Sequence, residues 1–405
     1  MTTPPVSVIV VSRHRAAALM RCIVALTQQD HPNVELIVVA DPEAIRQAET
    51  LSLPLKCVTF DEANISAARN AGLAVAAASI VAFIDDDAVA EPTWLSRLAA
   101  PFANPEVTAS TGFIRGRNGI SYQWQACEVD QFGQDHPLTI TEPTLRPNAP
   151  QRAVKTQGTN CAFRRDALLA IGGFDPAYRF YLDEADVNLR MVGQNLSGLT
   201  AIIPDAQVHH GYLASSRRAA NRMPLSLHDI AASTAIFLRR HAPEADMGAA
   251  LKALSLRESS RIAAHRRAGR IDAQAELALL TSLTQGWAEG LAHPLAAPPP
   301  LFPATTPMQA LDTGPRPGKI LSGRFWQKRR LLAEATASTA TITTVFLFTP
   351  TARPHKLSFQ PQGYWLQTGG IFGQSTRHGP RFRVISFGKR VEEETARLAQ
   401  YRPIA

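Results

Sequence analysis

Ser79-Ile-Val-Ala-Phe-Ile84 runs directly into Asp85-Asp86-Asp87, and Ala88-Val-Ala-Glu-Pro92 follows. The apolar run has the length of a buried strand, and carboxylates released at the carboxyl end of such a strand sit where open α/β sheets bind ligands. Two oxygen ligands at i and i+2 suit a hard divalent ion, which would in turn hold a diphosphate. The plainer reading, a solvated acidic turn, has to be weighed against what surrounds the triplet.

Upstream, Val6-Ser-Val-Ile-Val-Val11 is a β-branched run followed by a helical stretch from Ala16 to Gln28. Val34-Glu-Leu-Ile-Val-Val39 repeats the strand signal and ends at Ala40-Asp41-Pro42. Leu55 to Phe60 is a third strand, and alanine-rich Ile65 to Ala78 has strong helix propensity. Strand and helix alternating at this spacing predict an α/β fold with a doubly wound, mostly parallel sheet flanked by helices. Downstream, a helix is expected from Glu91 to Phe102, strands near Val107–Phe113, a strand turning into a helix over Asn160–Ile171, a helix over Tyr181–Val192, and strands at Ala201–Ile203 and Ala206–His209. Leu225 to Glu289 is mainly helical and basic. His293 to Pro317 is dense in proline and reads as a linker. The expected domains are 1–224, a helical extension at 225–290, the linker at 291–317 and a small α+β module at 318–405.

The chain has 405 residues, 45% hydrophobic and 7% aromatic, as in an ordinary globular protein of more than one core. No run approaches the roughly 18 uninterrupted apolar residues of a spanning helix. The N-terminus enters a strand without the basic and apolar regions of a signal peptide. Cys22, Cys57, Cys127 and Cys161 form no CxxC pair, which suits a reduced, cytoplasmic protein. The net charge of +8 is unevenly placed, at Arg217-Arg218, Arg239-Arg240, Arg261 to Arg270 and Lys328-Arg329-Arg330. Such clusters fit a solvated helix face, a phosphorylated substrate or an anionic membrane surface at the inner face of the membrane. No nucleic-acid-binding motif accompanies them, so nucleic acid is not an expected partner.

Asp41 leaves the second strand at the same sheet edge as the acidic triplet, where a carboxylate can accept from a base or ribose. After the first strand the chain reads Ser12-Arg-His-Arg15, not GxGxxG, which argues against a dinucleotide cofactor; no GxxxxGK[ST] occurs either. Arg69-Asn-Ala-Gly72 offers a guanidinium that can neutralise a diphosphate or simply pair with a carboxylate. Gly158-Thr-Asn-Cys-Ala-Phe-Arg-Arg165 and Gly172-Gly-Phe-Asp175 lead to Tyr181-Leu-Asp-Glu-Ala-Asp186, where Asp183, Glu184 and Asp186 crowd a helix start. There the macrodipole favours anions, and neighbouring carboxylates can raise one pKa toward that of a general base. Val208-His209-His210 ends a strand with two imidazoles.

In order and spacing these segments resemble a family-2 glycosyltransferase of the GT-A fold over residues 5 to about 215. The resemblance implies an inverting hexosyl or related glycosyl transfer from a nucleoside-diphosphate sugar to a glycan or glycolipid hydroxyl, assisted by Mg2+ or Mn2+. By carry-over, Asp41 contacts the nucleobase, Asp85 the ribose side and Asp87 the metal, with Ser12 and Arg69 also on the donor. Glu184 becomes the base, supported by Asp183, and His209 the remaining metal ligand, with His210 as the alternative. The sequence departs from the family at Val11-Ser-Arg-His-Arg15 and Ala40-Asp41, both at the nucleobase side. Two other classes fit less well. A sugar-nucleotide nucleotidyltransferase needs a glycine-rich loop that Ser12–Ala18 lacks, and a degenerate binding or scaffold domain need not keep every acid.

Overall fold

The first ninety residues fold as β1 (Val6–Val11), α1 (Ala16–Leu26), β2 (Val34–Ala40), α2 (Pro42–Glu49), β3 (Leu55–Thr59), α3 (Ile65–Leu73) and β4 (Ile80–Asp85). The computed structural model describes residues 3–404 apart from 197, 216, 297 and 300. Alternation decides which side chains face which layer. Val6, Val8 and Val10 join Leu19 and Ile23 of α1 in one core, whereas Ile9 joins Ala68 and Leu73 of α3 in the other. Both faces are therefore covered, and each fully buried Val or Ile contributes roughly 1.5–3 kcal/mol.

The chain continues through β5 (Ala88–Ala90), α4 (Trp94–Ala99), β6 (Val107–Arg115), β7 (Tyr122–Trp124), β8 (Ala126–Asp130), β9 (Asp135–Leu138), β10 (Thr144–Pro147), β11 (Arg152–Val154), β12 (Cys161–Arg164), α5 (Arg165–Ala170), α6 (Asp183–Gly193) and β13 (Leu199–His210). The main sheet has the order β10-β13-β6-β12-β4-β1-β2-β14, with β3 on β2, β5 on β13 and β7 on β6. In it β3, β2, β1, β4, β6 and β13 run the same way, and β12 is reversed between β4 and β6. The winding reverses between β1 and β4, which are in register with Val11 opposite Asp85. That switch point opens a crevice at the strands' carboxyl ends, and the acidic triplet stands on its rim.

Three helices, α7 (His228–His241), α8 (Met247–Arg267) and α9 (Ala273–Ala292), form the extension around Leu238, Ile262, Leu283 and Trp287. The proline-dense stretch lies along the sheet: β14 (Ala310–Leu311) pairs with β2, and Thr313 Oγ1 donates to the His31 carbonyl at 2.7 Å. Beyond it β15 (Gly318–Arg324), α10 (Lys328–Ala337), β16 (Ile342–Thr349), β17 (Lys356–Phe359), β18 (Trp365–Gly370) and α11 (Phe387–Leu398) make a four-stranded sheet with two helices. This module shares its core with the first domain, since Ala25 of α1 and Val89 of β5 cluster with Phe346, Phe348 and Trp365. Arg402 seals the junction. Fully buried, it meets Glu91 through Nε at 2.7 Å and Nη2 at 2.8 Å, and lies 3.7 Å over the Trp365 ring. Among the described residues no helix is long and apolar enough to cross a membrane.

Candidate active site

The three aspartates separate by direction. Asp86 points inward and is fully buried; it accepts from Ser12 Oγ at 2.6 Å and meets Arg15 Nη2 at 2.5 Å. Burial, only partly offset by Arg15, pushes its pKa up to about 7. Asp85 and Asp87, two residues apart, share the other side. Asp87 Oδ2 accepts from the Leu213 amide at 2.7 Å, and its Oδ1 is 3.1 Å from His210 Nε2. Asp85 Oδ2 is 3.8 Å from the same nitrogen.

Asp85, Asp87 and His210 offer ligand atoms that all lie within 4.8 Å of one another. His210 Nδ1 lies 3.1 Å from Gln123 Oε1, and its buried Nε2 makes no hydrogen bond of good geometry. With Nδ1 donating to Gln123, Nε2 is a lone pair facing two carboxylates. Three electron-pair donors converging with no proton between them fit a divalent cation, and the Gln123 contact orients the imidazole as metal-site histidines require.

A second acid pair faces this group. Tyr181 (φ 75°) and Leu182 (φ 65°) turn the chain sharply before α6 starts at Asp183. Two consecutive non-glycine residues at positive φ are strained, a cost met at functional corners. Buried Arg69 holds Asp183 Oδ2 through Nη1, and both of its terminal nitrogens lie 3.4 Å from Glu184 Oε1. Its Nη2 is 3.8 Å from Asp85 Oδ1, so one guanidinium spans both acidic groups. Glu184 Oε1 also accepts from the Gly158 amide at 2.9 Å. A Cβ at Gly158 would stand 1.9 Å from Arg69 Nη2 and 2.4 Å from Glu184 Oε1, so any larger residue has to displace the ends of both side chains. Burial and then the Glu184 charge raise the Asp183 pKa. Burial works the same way on Glu184, but Arg69 and backbone donors more than offset it and keep that carboxyl low.

Next to the triplet lies a cavity of about 400 Å³, whose wall includes Ser12, Arg15, Phe60, Asn64, Asp85 and Asp87. Asp41 lies off it, capping α2: its oxygens accept from the amides of Ala44 (3.2 Å) and His14 (2.7 Å). Burial opposes ionisation of Asp41, and those amides overcome it to hold the pKa below normal.

Residues 7–172 match the model of glycosyl transferase family 2. The glucosyl-dolichyl phosphate glucuronosyltransferase of Haloferax volcanii is 27% identical over 173 residues, 40% of this chain and 53% of that protein. The chain thus spans about half the length of this curated relative. Among solved structures, GalNAc-T7 with UDP, GalNAc and Mn2+ is 16% identical with a TM-score of 0.46, over 59% of this chain and 48% of the other. S. aureus TarS is also 16% identical, with a TM-score of 0.39 over 63% and 43%.

The structure brings together Asp85, Asp87, Arg69, Asp183 and Glu184, with Ser12 reaching the cavity and touching Asp86. It does not bring His209 with them. Neighbouring residues of a strand point to opposite faces. His209 therefore turns to Glu91, donating from Nε2 at 2.8 Å, and packs on Trp365, while His210 turns to the aspartates. The expectation of His209 as ligand is corrected accordingly. Asp186, the third acid of α6, is also outside the site, locked by Arg190, Arg240 and His241 at 2.7, 2.9 and 3.0 Å. Sequence reasoning missed Arg15, Gln123 and Leu213. Arg15 stood in the quoted first-strand segment, but the other two carry no sequence signal.

Proposed function

We propose that this family-2 domain transfers a sugar, with inversion, from a nucleoside-diphosphate sugar to an acceptor hydroxyl, with a divalent cation held by Asp85, Asp87 and His210. The observation that carries this reading is Arg69, whose guanidinium links the metal-type cluster to the Asp183–Glu184 pair. A bound Mg2+ or Mn2+ would supply Lewis-acid stabilisation of the departing diphosphate.

The remaining chemistry belongs to the chain. The 400 Å³ cavity accommodates the nucleoside, and Arg15, fixed by Asp86 and Asp87, adds positive charge near the diphosphate. Glu184, kept ionised by Arg69, takes the acceptor proton as the hydroxyl oxygen bonds to the anomeric carbon. The bond from that carbon to the diphosphate oxygen breaks, and its electron pair leaves with the nucleoside diphosphate. Arg69 and the Gly158 amide fix the Glu184 carboxylate, so no reorganisation is needed at that moment.

The working location we propose is the inner face of an anionic membrane, attached peripherally. Phe325 and Trp326, 62% and 76% exposed, are followed by Lys328-Arg329-Arg330, an aromatic and basic pairing suited to a headgroup layer. Co-sedimentation with anionic vesicles that falls as salt rises supports attachment; equal binding to neutral vesicles excludes it. For the transfer itself, thermal shifts with Mn2+ or Mg2+ against a panel of sugar nucleotides should single out one donor, because ligands of the native state raise Tm. No metal-dependent shift with any of them would overturn the reading.

A further inference from the structure

A second cavity, of about 340 Å³, opens beyond the first, and Phe180, Arg217 and Arg218 belong to the walls of both. Its far wall comes from the helical extension: Ile230 on α7, and Arg257, Glu258 and Arg261 on α8. Tyr181 also lines it, at the strained corner directly before Leu182 and the Asp183–Glu184 pair. The cavity thus touches the donor site on one side and the segment carrying the acids on another.

Four guanidiniums face this cavity against two carboxylates, those of Asp229 and Glu258. Asp229 is committed to Arg217 at 2.6 Å, and Glu258 is shared by Arg257 (3.1 Å) and Arg261 (3.2 Å). Among the described residues Arg218 pairs with no carboxylate; it lies 5.0 Å over the Tyr212 ring. Positive charge is therefore in excess, carried by groups whose planar forks match phosphate oxygens. Phe180, Tyr181 and Ile230 add flat and apolar surface of the kind a sugar ring packs on.

We propose that this cavity is the acceptor subsite and that it selects an acceptor whose sugar carries a phosphate ester. The proposal rests on the transferase reading above. Arg257 and Arg261 recognise the phosphate and position the acceptor; Phe180 and Tyr181 hold the sugar beside the acid pair.

The test fills the donor cavity first, with Mg2+ and whichever of UDP, GDP or CDP binds tightest, and then titrates glucose 1-phosphate, methyl glucoside and glucuronate by calorimetry. Glucose 1-phosphate should bind, and the other two should bind more weakly. The double variant Arg257→Gln, Arg261→Gln should weaken glucose 1-phosphate by about tenfold or more while leaving nucleoside diphosphate affinity unchanged. Both side chains are about half exposed and each glutamine keeps an amide donor for the buried Glu258, and the unchanged nucleotide affinity checks the fold. A polyprenyl-phosphate glucoside in detergent tells the two sources apart. Tighter binding than glucose 1-phosphate with the same arginine dependence assigns a lipid-linked acceptor, and equal binding a soluble one. Either result supports phosphate recognition. Equal binding of glucose 1-phosphate by variant and wild type, or glucuronate binding as well as the phosphate, would overturn it. A failed donor reading shows separately, as no metal-dependent nucleotide binding, and the glucose 1-phosphate comparison stands without it.

Discussion

Arg69 Nη2 lies 3.8 Å from Asp85 Oδ1 while the same guanidinium holds Asp183. The arginine is buried among Phe83 and Phe174, which lie 6.0 and 5.1 Å from its guanidinium carbon. A buried charge of this kind is stable only while its carboxylates stay in place, so Asp85 and the Asp183–Glu184 pair are mechanically joined.

Glu184→Gln removes the proposed proton acceptor but keeps the shape of the site. Turnover should fall by about 10²–10⁴-fold with donor affinity unchanged. Steady-state kinetics beside nucleotide titration check it, and normal turnover would move the base elsewhere.

The two histidines should separate cleanly. His210→Ala should weaken Mn2+ affinity by more than about tenfold, because one of three converging donors is lost. His209→Ala should leave metal affinity alone and cost about 1–3 kcal/mol of stability through the lost Glu91 contact. Calorimetric Mn2+ titration and urea unfolding of both variants read the difference.

Gly158→Ala places a methyl group against Arg69 and Glu184. Misplacing the proposed base by a fraction of an ångström to an ångström should cost about a hundredfold in turnover. Overpacking should cost about 1–3 kcal/mol in stability. Wild-type turnover in a folded variant would show that the pair tolerates displacement.

The Glu91–Arg402 junction sets a pH dependence. Burial would raise the Glu91 pKa, but Arg402 and His209 bring it from 4.5 down to about 2. Burial lowers the Arg402 pKa despite Glu91, but arginine does not titrate in this range, so the linkage is read at Glu91. A depressed acid pKa contributes stability that is present above pH 4.5 and lost as pH falls through the range to about 2. The contribution is on the order of 3 kcal/mol. Unfolding free energies measured between pH 6 and 2 should therefore fall less steeply in Glu91→Gln than in the wild type. Arg402→Ala, which leaves that buried carboxylate with His209 as its remaining side-chain partner, should cost about 3 kcal/mol at neutral pH.

Local chemistry made much of this readable beforehand. The β-branched runs and alanine-rich helix between residues 6 and 85 specify alternating strands and helices, and that alternation alone implies a switch point with Asp85 on its rim. Asp183 and Glu184 were visible as acids at a helix start, and Arg69 as a guanidinium ahead of a strand. What no local pattern carries is direction across the sheet and partnership over long separations. His209 and His210 are equivalent as text. Only the pairing of β13 with β5 and β6, after a break in register between Ile203 and Val208, turns one to Glu91 and the other to Asp87. Asp41 reads as a ligand contact, and only the fold shows that its oxygens also cap α2 and accept from the His14 amide. The last residues look like an appendage until Arg402 is seen on Glu91, 311 positions away. The sequence by itself thus determined the sheet and its acids, because strand periodicity and helix propensity act over a few residues. Only the tertiary structure decided which of those acids and histidines meet, because burial and hydrogen bonding are settled between segments far apart along the chain.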